Sequence, residues 1–209
     1  MGRIYFYTLT TDDNGAPCVQ DNLLSLAICK PMIRSTASVG DLIFGFAANS
    51  LRRDNCLLYI AQITEKIEGG RYYLDKGFAS RGDRVYDRRG ERFVWRQGAL
   101  HHGPNDVVHD LGEPPDYSKA NVLLSTDFRY LGAKGTADYK TRYHAIKDAV
   151  EGLGRGHRVG HDEPLLLELV ALKQEVWRDD QNRQVGRPSS TPRCGVSHRG
   201  KSCGVLEGR

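Results

Sequence analysis

The segment Val39–Ala47 reads Val-Gly-Asp-Leu-Ile-Phe-Gly-Phe-Ala, which is a Gly-Asp turn followed by a nearly continuous apolar run. A short apolar run that begins at a turn predicts a buried β-strand, here over 42–47. Arg52–Asn55 is a polar turn, and Cys56–Thr64 is again rich in Leu, Ile, Tyr and Thr. We therefore predict two neighbouring strands that pair with each other.

The other predicted elements lie on both sides of this strand pair. Arg3–Thr10 predicts an opening strand, and Leu23–Cys29 predicts a short helix that Pro31 ends. Further along, the pattern predicts short strands within 72–98, at 121–124 and at 128–131, and helices at 143–153 and 162–177 with Asp162 as N-cap. Because strands come first and helices last, without β-α-β alternation, the order predicts an α+β fold with a curved or barrel-like sheet.

The composition indicates a globular protein. Of the 209 residues, 39% are hydrophobic and 27% are charged, as is usual for globular domains. The longest strongly apolar runs, such as 165–172, are far shorter than the ~20 residues that cross a bilayer, and the start of the chain turns polar at once. The five cysteines form no CxxC pair, which favours reduced thiols. We therefore expect a cytoplasmic protein that does not enter a membrane.

The net charge of +4 is unevenly distributed. Residues 178–209 hold seven Lys/Arg and three Asp/Glu among Gly, Ser and Pro, so 1–177 is neutral as a whole. This division predicts one domain over 1–177 and a flexible, basic, disordered tail over 178–209. Inside the domain, 71–96 carries eight basic and four acidic residues. A polyanion would therefore meet a local basic stripe.

Aromatic residues alternate with the basic residues of this stripe. Arginine donates two parallel hydrogen bonds to phosphate, and aromatic faces stack on unpaired bases. This pattern predicts a nucleic-acid backbone contact through five arginines, namely Arg81, Arg84, Arg88, Arg89 and Arg92. The alternative is a solvated loop, in which the acidic residues neutralise half of the charge and the aromatic residues belong to the core.

Four segments in order resemble the bacterial and phage family called nucleotide modification associated domain 2. They are 5–10 with 15–18, then 24–34, the Gly-Asp strand at 39–44, and 122–132. The Gly-Asp strand pair is also similar to the core of EVE, ASCH and other PUA-like domains. The resemblance implies a partly closed PUA/EVE-like β-barrel with helices packed on the outside. It also implies association with systems that make, recognise or cut modified bases, with nucleic acid or a nucleotide as ligand and proteins of such a system as partners.

The resemblance and the residues together suggest a ligand cleft beside the opening strand. Lys30 and Arg34 lie close together and could hold a phosphate, although cations at a helix end also complement the helix dipole. The proposed base contacts come from the opening strand and the following turn, and an aromatic wall would come from one of two residues further on. These side chains are Tyr7, Thr8, Thr10 and Asp12, with Tyr73 or Trp95 as the wall.

No motif indicates catalysis on a metal or a bound cofactor. The histidines form no HExxH pattern, no Gly-rich phosphate loop follows a strand, and a base near Cys18 or Cys29 cannot be recognised. We therefore expect no cofactor, no metal, no catalytic residue, and binding rather than catalysis. Two alternatives stay open. One is an enzyme of base modification that uses Asp12, Asp13 or Asp41 as acid or base, and the other is a protein-interaction module.

Overall fold

The computed structural model describes residues 2–154 and 156–190. The strands of these residues are β1 (Ile4–Leu9), β2 (Cys18–Gln20), β3 (Leu23–Leu26), β4 (Leu42–Ala47), β5 (Leu57–Gln62), β6 (Glu65–Ile67), β7 (Tyr86–Arg89), β8 (Arg92–Trp95), β9 (Val122–Ser125), β10 (Asp127–Tyr130) and β11 (His157–Arg158). The α-helices are α1 (Pro31–Thr36), α2 (Arg71–Leu74), α3 (Val107–Leu111), α4 (His144–Glu151) and α5 (Glu163–Asp179). Four 3₁₀ turns occupy Lys76–Phe78, Pro104–Asp106, Gly132–Lys134 and Asp138–Thr141.

The strands form three sheets. The largest has the order β10-β5-β4-β1-β11, the second has the order β2-β3-β9-β6, and β7 and β8 form a separate hairpin. β4 and β5 are antiparallel neighbours, so the predicted strand pair is confirmed. β1 and β4 run parallel, from Ile4 opposite Leu42 to Leu9 opposite Ala47. The opening strand is therefore an inner strand, with β11 on its other side.

Strand β4 is buried at all six positions because both faces of the large sheet are covered. Successive side chains of a strand point to opposite faces. Ile43 and Ala47 pack in the core that includes residues of β3 and β9 from the second sheet. Leu42, Phe44 and Phe46 pack on the other face, in the core formed with α4 and α5. The continuous apolar run of the sequence is thus explained by a sheet between two layers.

The predicted short helix at 23–29 is wrong. Leu23–Leu26 is strand β3, which pairs with β2 and with β9, and the chain turns sharply at Cys29 and Lys30 before α1 begins at Pro31. Proline lacks the N–H that an interior helical residue must donate, but at the first helical position no partner is needed. Pro31 therefore begins a helix where we expected it to end one.

The two long helices are confirmed. α4 covers His144–Glu151 within the predicted 143–153, and α5 covers Glu163–Asp179. Asp162 caps α5, because its side chain accepts a hydrogen bond of 3.2 Å from the Leu165 N–H. Among residues 2–154 and 156–190, no helix has both the length and the apolar character needed to cross a bilayer.

The fold is a mixed α+β arrangement, as predicted. Within the described residues the large sheet ends at β10 on one side and β11 on the other, and these two strands do not pair. The sheet is therefore open over this part of the chain. The finer prediction of a partly closed PUA/EVE-like barrel stays a prediction.

Residues 178–190 lie against the domain, in contrast to the flexible tail predicted from residue 178 onward. The N–H of Tyr130 donates to the carbonyl of Arg183 at 2.8 Å, and Ser189 and Ser190 bind Asp12. Gly186 permits the approach, because a Cβ there would lie 1.8 Å from the Leu131 carbonyl oxygen. The remainder of the predicted tail, 191–209, lies outside the described residues.

Candidate functional site

A cleft of about 500 Å³ opens beside the C-terminal end of β1. Its walls come from the turn after β1, the link between β3 and α1, the loop before α3, and the residues at the start of β11. The polar side chains that line it include Tyr7, Thr10, Asp13, Lys30, His102 and His157. The site is therefore assembled from four distant parts of the chain.

Two side chains of the cleft, Cys29 and His102, form a connected cluster with the buried Asp110. Cys29 Sγ lies 3.1 Å from His102 Nε2, and His102 Nδ1 lies 2.6 Å from Asp110 Oδ2. The second carboxylate oxygen, Asp110 Oδ1, accepts a hydrogen bond of 2.9 Å from the backbone N–H of Cys29. Asp110 thus binds both the residue that carries the thiol and the imidazole that contacts it. The sequence analysis missed this cluster.

Asp110 is fully buried and is held from two further sides. Tyr86 at the start of β7 donates its hydroxyl to Asp110 Oδ2 at 2.6 Å. Arg34 places its guanidinium 3.8 Å from Asp110 Oδ1. A buried carboxylate is stable only when it is paired and hydrogen-bonded. These contacts fix the carboxylate in place and orient His102.

The backbone of the cluster is strained. Cys29 has φ 56°, Lys30 has φ 43° and His102 has φ 57°, all in the left-handed region. For residues other than glycine this region costs on the order of 1–3 kcal/mol each, and such residues concentrate at functional sites. Here the strain accompanies the orientation of the thiol and the imidazole toward each other.

The protonation of His102 follows from its two contacts. Burial, the largest influence, opposes the charged imidazole, but the hydrogen bonds with Asp110 and Cys29 outweigh it and raise the pKa of His102 to about 10. Burial likewise opposes ionisation of Asp110, yet the contacts with His102, Tyr86 and Arg34 keep its pKa below the ordinary value. At neutral pH, therefore, the imidazolium donates Nδ1–H to Asp110 and directs Nε2–H at the sulfur.

Cys29 differs from the two other cysteines of the described residues. Cys18 and Cys56 are buried, and burial raises their pKa to about 12 and about 11. Both side chains therefore act as small buried hydrophobes. Cys29 is only half-buried and lines the cleft.

Lys30 brings a positive charge into the cleft. Its Nζ lies 4.5 Å from the centroid of the Tyr7 ring, which is within the range of a cation–π contact. Burial lowers the pKa of Lys30. The Tyr7 hydroxyl is bonded to the Tyr59 hydroxyl at 2.8 Å, so its polar end is already satisfied. The ring of Tyr7 therefore holds the Lys30 ammonium through a cation–π contact.

Asp13 supplies a negative charge on the part of the cleft wall formed by the turn after β1. Its Oδ2 lies 3.6 Å from His101 Nδ1. Burial raises the pKa of Asp13, but the hydrogen bond and charge of His101 and the Gly15 N–H more than compensate, so the pKa is lowered overall. The carboxylate is therefore ionised at neutral pH and available to accept hydrogen bonds.

The structure brings together part of the predicted ligand set. Tyr7, Thr10 and Lys30 line the cleft. Thr8 lines an adjacent cavity of about 590 Å³, which shares Thr10 and Lys30 with the first. The opening strand and the end of the β3–α1 link therefore meet at the cleft, and a ligand contact through these residues stays a prediction.

Other predicted ligand residues lie elsewhere. Asp12 is buried and accepts hydrogen bonds from Tyr130 and from Ser189. Tyr73 is fully buried and donates its hydroxyl to the Ala27 carbonyl at 2.6 Å. Trp95 lies behind the cleft, where its Nε1–H donates to the His101 carbonyl at 3.3 Å. None of these three side chains lines the cleft.

Arg34 also lies in the interior, with 0% exposure. Its guanidinium donates to four backbone carbonyls, which belong to Cys29, Asp110, Lys119 and Asn121. These bonds use four of the five N–H donors of a side chain that is not exposed, so Arg34 is not available to a phosphate. Arg34 instead ties α1 to the loops around α3.

The five arginines of the basic stripe separate into two groups. Arg81 is buried and binds the carbonyls of Cys18 and Gln20, and Arg84 is half-buried beside Asp87 at 3.1 Å. Arg88, Arg89 and Arg92 are exposed on the β7–β8 hairpin. A backbone contact through these exposed arginines stays a prediction.

The aspartates proposed as alternative acids or bases also separate. Asp41 accepts hydrogen bonds from the backbone N–H groups of Arg3 at 2.7 Å and Ser38 at 2.9 Å. It therefore stabilises its own turn and the start of β1.

Among the residues that the structure describes, no group of three or more His, Cys, Asp or Glu side chains is arranged to hold a metal ion.

These features define a small mixed α+β domain with a polar cleft that contains a Cys–His–Asp cluster. The family model for nucleotide modification associated domain 2 matches residues 1–188. The chain therefore belongs to this family, as the sequence resemblance predicted, and it is associated with nucleotide modification. No curated protein and no solved structure matches the chain.

Proposed function

We propose that the cleft binds a nucleic-acid base or nucleotide, including a modified base. The observation that carries this proposal is the half-buried ammonium of Lys30, held over Tyr7 at 4.5 Å in a cleft of about 500 Å³. Small-molecule sites commonly have volumes of roughly 300–1,000 Å³ and a few convergent polar groups. Membership of a family associated with nucleotide modification favours a nucleotide as the ligand.

Lys30 is suited to a phosphate. Burial lowers the pKa of Lys30, and an anion beside a desolvated lysine stabilises its charged form. Binding of a phosphate would therefore favour protonation of Lys30. The affinity for a nucleotide should depend on this side chain more than the affinity for a free base does.

The rest of the cleft offers hydrogen bonds for a base edge. Thr10 and Asp13 provide a hydroxyl and an ionised carboxylate. Burial and then the charge of Lys30 lower the pKa of His157, so its ring is neutral at pH 7 and offers one donor and one acceptor. Histidine rings also stack on bases. The histidine rings that line the cleft would therefore take the place of the aromatic wall that we expected from Tyr73 or Trp95.

The exposed hairpin would extend this site to a polynucleotide. Its root contacts the cleft cluster, since Tyr86 binds Asp110 and its cross-strand partner Trp95 binds the His101 carbonyl. A strand rises about 3.3 Å per residue, so Arg89 lies about 10 Å along β7 from Tyr86. In this proposal, Arg88, Arg89 and Arg92 contact phosphates that flank a base in the cleft. The relation to PUA/EVE-like domains and the partnership with proteins of a modification system belong to the same proposal.

Calorimetric titration tests the proposal. Nucleoside monophosphates, and oligonucleotides with and without one modified base, are titrated at fixed salt into the wild type and into Lys30→Met. We expect binding that differs between modified and plain bases and weakens at least tenfold in Lys30→Met, since about 1.4 kcal/mol corresponds to a factor of ten. Lys134→Met, which removes an exposed lysine outside the cleft, is the matched control. Equal affinities for modified and plain oligonucleotides, without binding of free nucleotides, would refute base recognition.

A further inference from the structure

We propose that the cleft is also a catalytic site, in which Cys29 is the nucleophile, His102 is the general acid for the leaving group and the general base for the attacking water, and Asp110 is a positioning residue. The substrate class is an amide or ester group carried by the bound nucleotide. That a nucleotide carries this group rests on the proposed function above. That the reaction occurs at an acyl carbon rests on the cluster of Cys29, His102 and Asp110.

The first argument is geometric. A nucleophile needs a base within hydrogen-bond reach, and the base needs a third group that orients it. Sγ to Nε2 is 3.1 Å and Nδ1 to Oδ2 is 2.6 Å, so both contacts are made. The Asp110 carboxylate also holds the Cys29 backbone N–H at 2.9 Å. One buried group therefore fixes the nucleophile and the base relative to each other.

The second argument is that the contact of His102 with the sulfur is not needed for the fold. Asp110 is already satisfied by Tyr86, by the Cys29 N–H and by Arg34. The side chain of His102 is 20% exposed and lines the cleft beside Cys29. A purely structural imidazole would not have to face both the cleft and a thiol, with its backbone in the left-handed region.

The reaction follows from these positions. The thiolate form of Cys29 Sγ, beside the His102 imidazolium, forms a bond to the acyl carbon, and the carbonyl π electrons move to oxygen. The tetrahedral intermediate collapses, the C–N or C–O bond breaks, and His102 gives its Nε2 proton to the leaving amine or alcohol. The neutral His102 then takes a proton from water, which attacks the thioester carbon; the C–S bond breaks, a carboxylic acid is released, and the thiolate and the imidazolium are restored.

Lys30 has a defined place in this scheme. It follows Cys29 directly, and its ammonium lies in the same cleft. Negative charge develops on the carbonyl oxygen as the thiol adds, and a fixed cation in a partly desolvated site stabilises that charge. The same side chain that would hold a phosphate in one ligand pose can therefore assist the acyl step in another.

The first test is alkylation of the individual thiols. Cys194 and Cys203 are replaced by serine in every variant, and iodoacetamide labelling is followed by peptide mass spectrometry. Cys18 and Cys56 are buried and serve as internal controls. We expect Cys29 to react at pH 7 at least about tenfold faster than either control, and to slow about tenfold in His102→Gln, because the thiolate is the reacting form. Labelling of Cys29 at the rate of the controls would overturn the proposal.

The second test uses p-nitrophenyl acetate as an acyl probe. We expect a burst of p-nitrophenol and one acetyl group on Cys29, both abolished in Cys29→Ser, and a burst about 10²-fold slower in His102→Gln. Asp110→Asn should shift the pH profile of the burst, which a merely structural defect would not do. If this variant fails to fold, the Cys29→Ser and His102→Gln results still show whether Cys29 is the nucleophile and whether His102 assists it. Absence of acetyl from Cys29 in the folded wild type contradicts the inference.

The two proposals fail separately. Nucleotide binding without acylation of Cys29 would overturn the catalytic inference and leave the proposed function intact. Acylation of Cys29 without nucleotide binding would support the catalytic cluster and refute the nucleotide as carrier.

Discussion

Arg34 Nη2 lies 3.8 Å from Asp110 Oδ1 and also donates to the main-chain carbonyl of Asp110 at 2.7 Å. Both side chains have 0% exposure. Because Asp110 in turn binds His102 and the Cys29 N–H, the guanidinium supports the cluster from beneath without touching the cleft. Arg34, which the sequence suggested as a phosphate ligand, thus has a structural role beside the site.

Replacing Arg34 should destabilise the protein strongly. Arg34→Met leaves the buried Asp110 carboxylate without one of its two cations and four carbonyls without a donor, and removal of one partner from a buried ion pair costs about 3–5 kcal/mol. Urea denaturation measures the loss. Arg89→Met, on the exposed hairpin, should change the free energy of unfolding by less than about 0.5 kcal/mol. Equal effects of the two substitutions would contradict the structural role of Arg34.

The stability of the protein should depend on pH through His102. Its pKa is raised from 6.5 to about 10 in the folded protein, so the folded state binds the proton more tightly than the unfolded state. The resulting stabilisation is complete below about pH 6.5 and is lost as the pH rises toward 10. We expect the difference in unfolding free energy between wild type and His102→Gln to shrink across this range. Denaturation curves at pH 6, 8 and 10 provide the measurement, and a constant difference would speak against the shifted pKa.

The segment 180–190 should contribute to stability through close backbone contact. A Cβ on Gly186 would lie 1.8 Å from the Leu131 oxygen, so Gly186→Ala must push the segment away. We expect a loss of about 1–3 kcal/mol and faster proteolysis after residue 179. Gly160→Ala is the matched control, since no atom lies within 4 Å of its added Cβ. If both substitutions leave the melting temperature unchanged, the segment is not held as described.

The hairpin arginines should control the salt dependence of nucleic-acid binding. Each phosphate contact contributes about 0.7 to the slope of log K against log salt for single strands. Replacing Arg88, Arg89 and Arg92 together by alanine should therefore reduce the slope by about 2, with little change in stability. Arg53→Ala, which removes an exposed arginine from the turn before β5, is the control. An unchanged slope in the triple variant would remove the hairpin from the nucleic-acid interface.

Much of the fold could be predicted from local pattern. The apolar run at 42–47 and the capped helix after Asp162 correspond to β4 and α5, because burial and capping leave clear signals over a few residues. The helix predicted at 23–29 was wrong, because the apolar positions of this stretch suit either a helix face or a strand that is buried on both sides. Only the pairing with β2 and β9 decides between them.

The site was predictable only in part. Tyr7, Thr10 and Lys30 line one cleft because the opening strand and the residues before α1 are close in space. Cys29, His102 and Asp110 are spread over 82 positions of the chain, and their contact depends on tertiary packing. No local spacing encodes it. Equally, charge pattern alone could not separate the buried Arg34 and Arg81 from the exposed Arg89.

The position of β1 inside the large sheet has a consequence for biosynthesis. β1 leaves the ribosome first, yet its parallel partner β4 follows about 40 residues later and β11 about 150 residues later. Pairings of such sequence separation form slowly, because the intervening chain must be ordered before any contact is gained. One side of β1 can pair with β4 early, but the other side stays unpaired until β11 has been translated. Recombinant production should benefit from slow translation or a holding chaperone, and shortened versions of the domain will not retain the cleft.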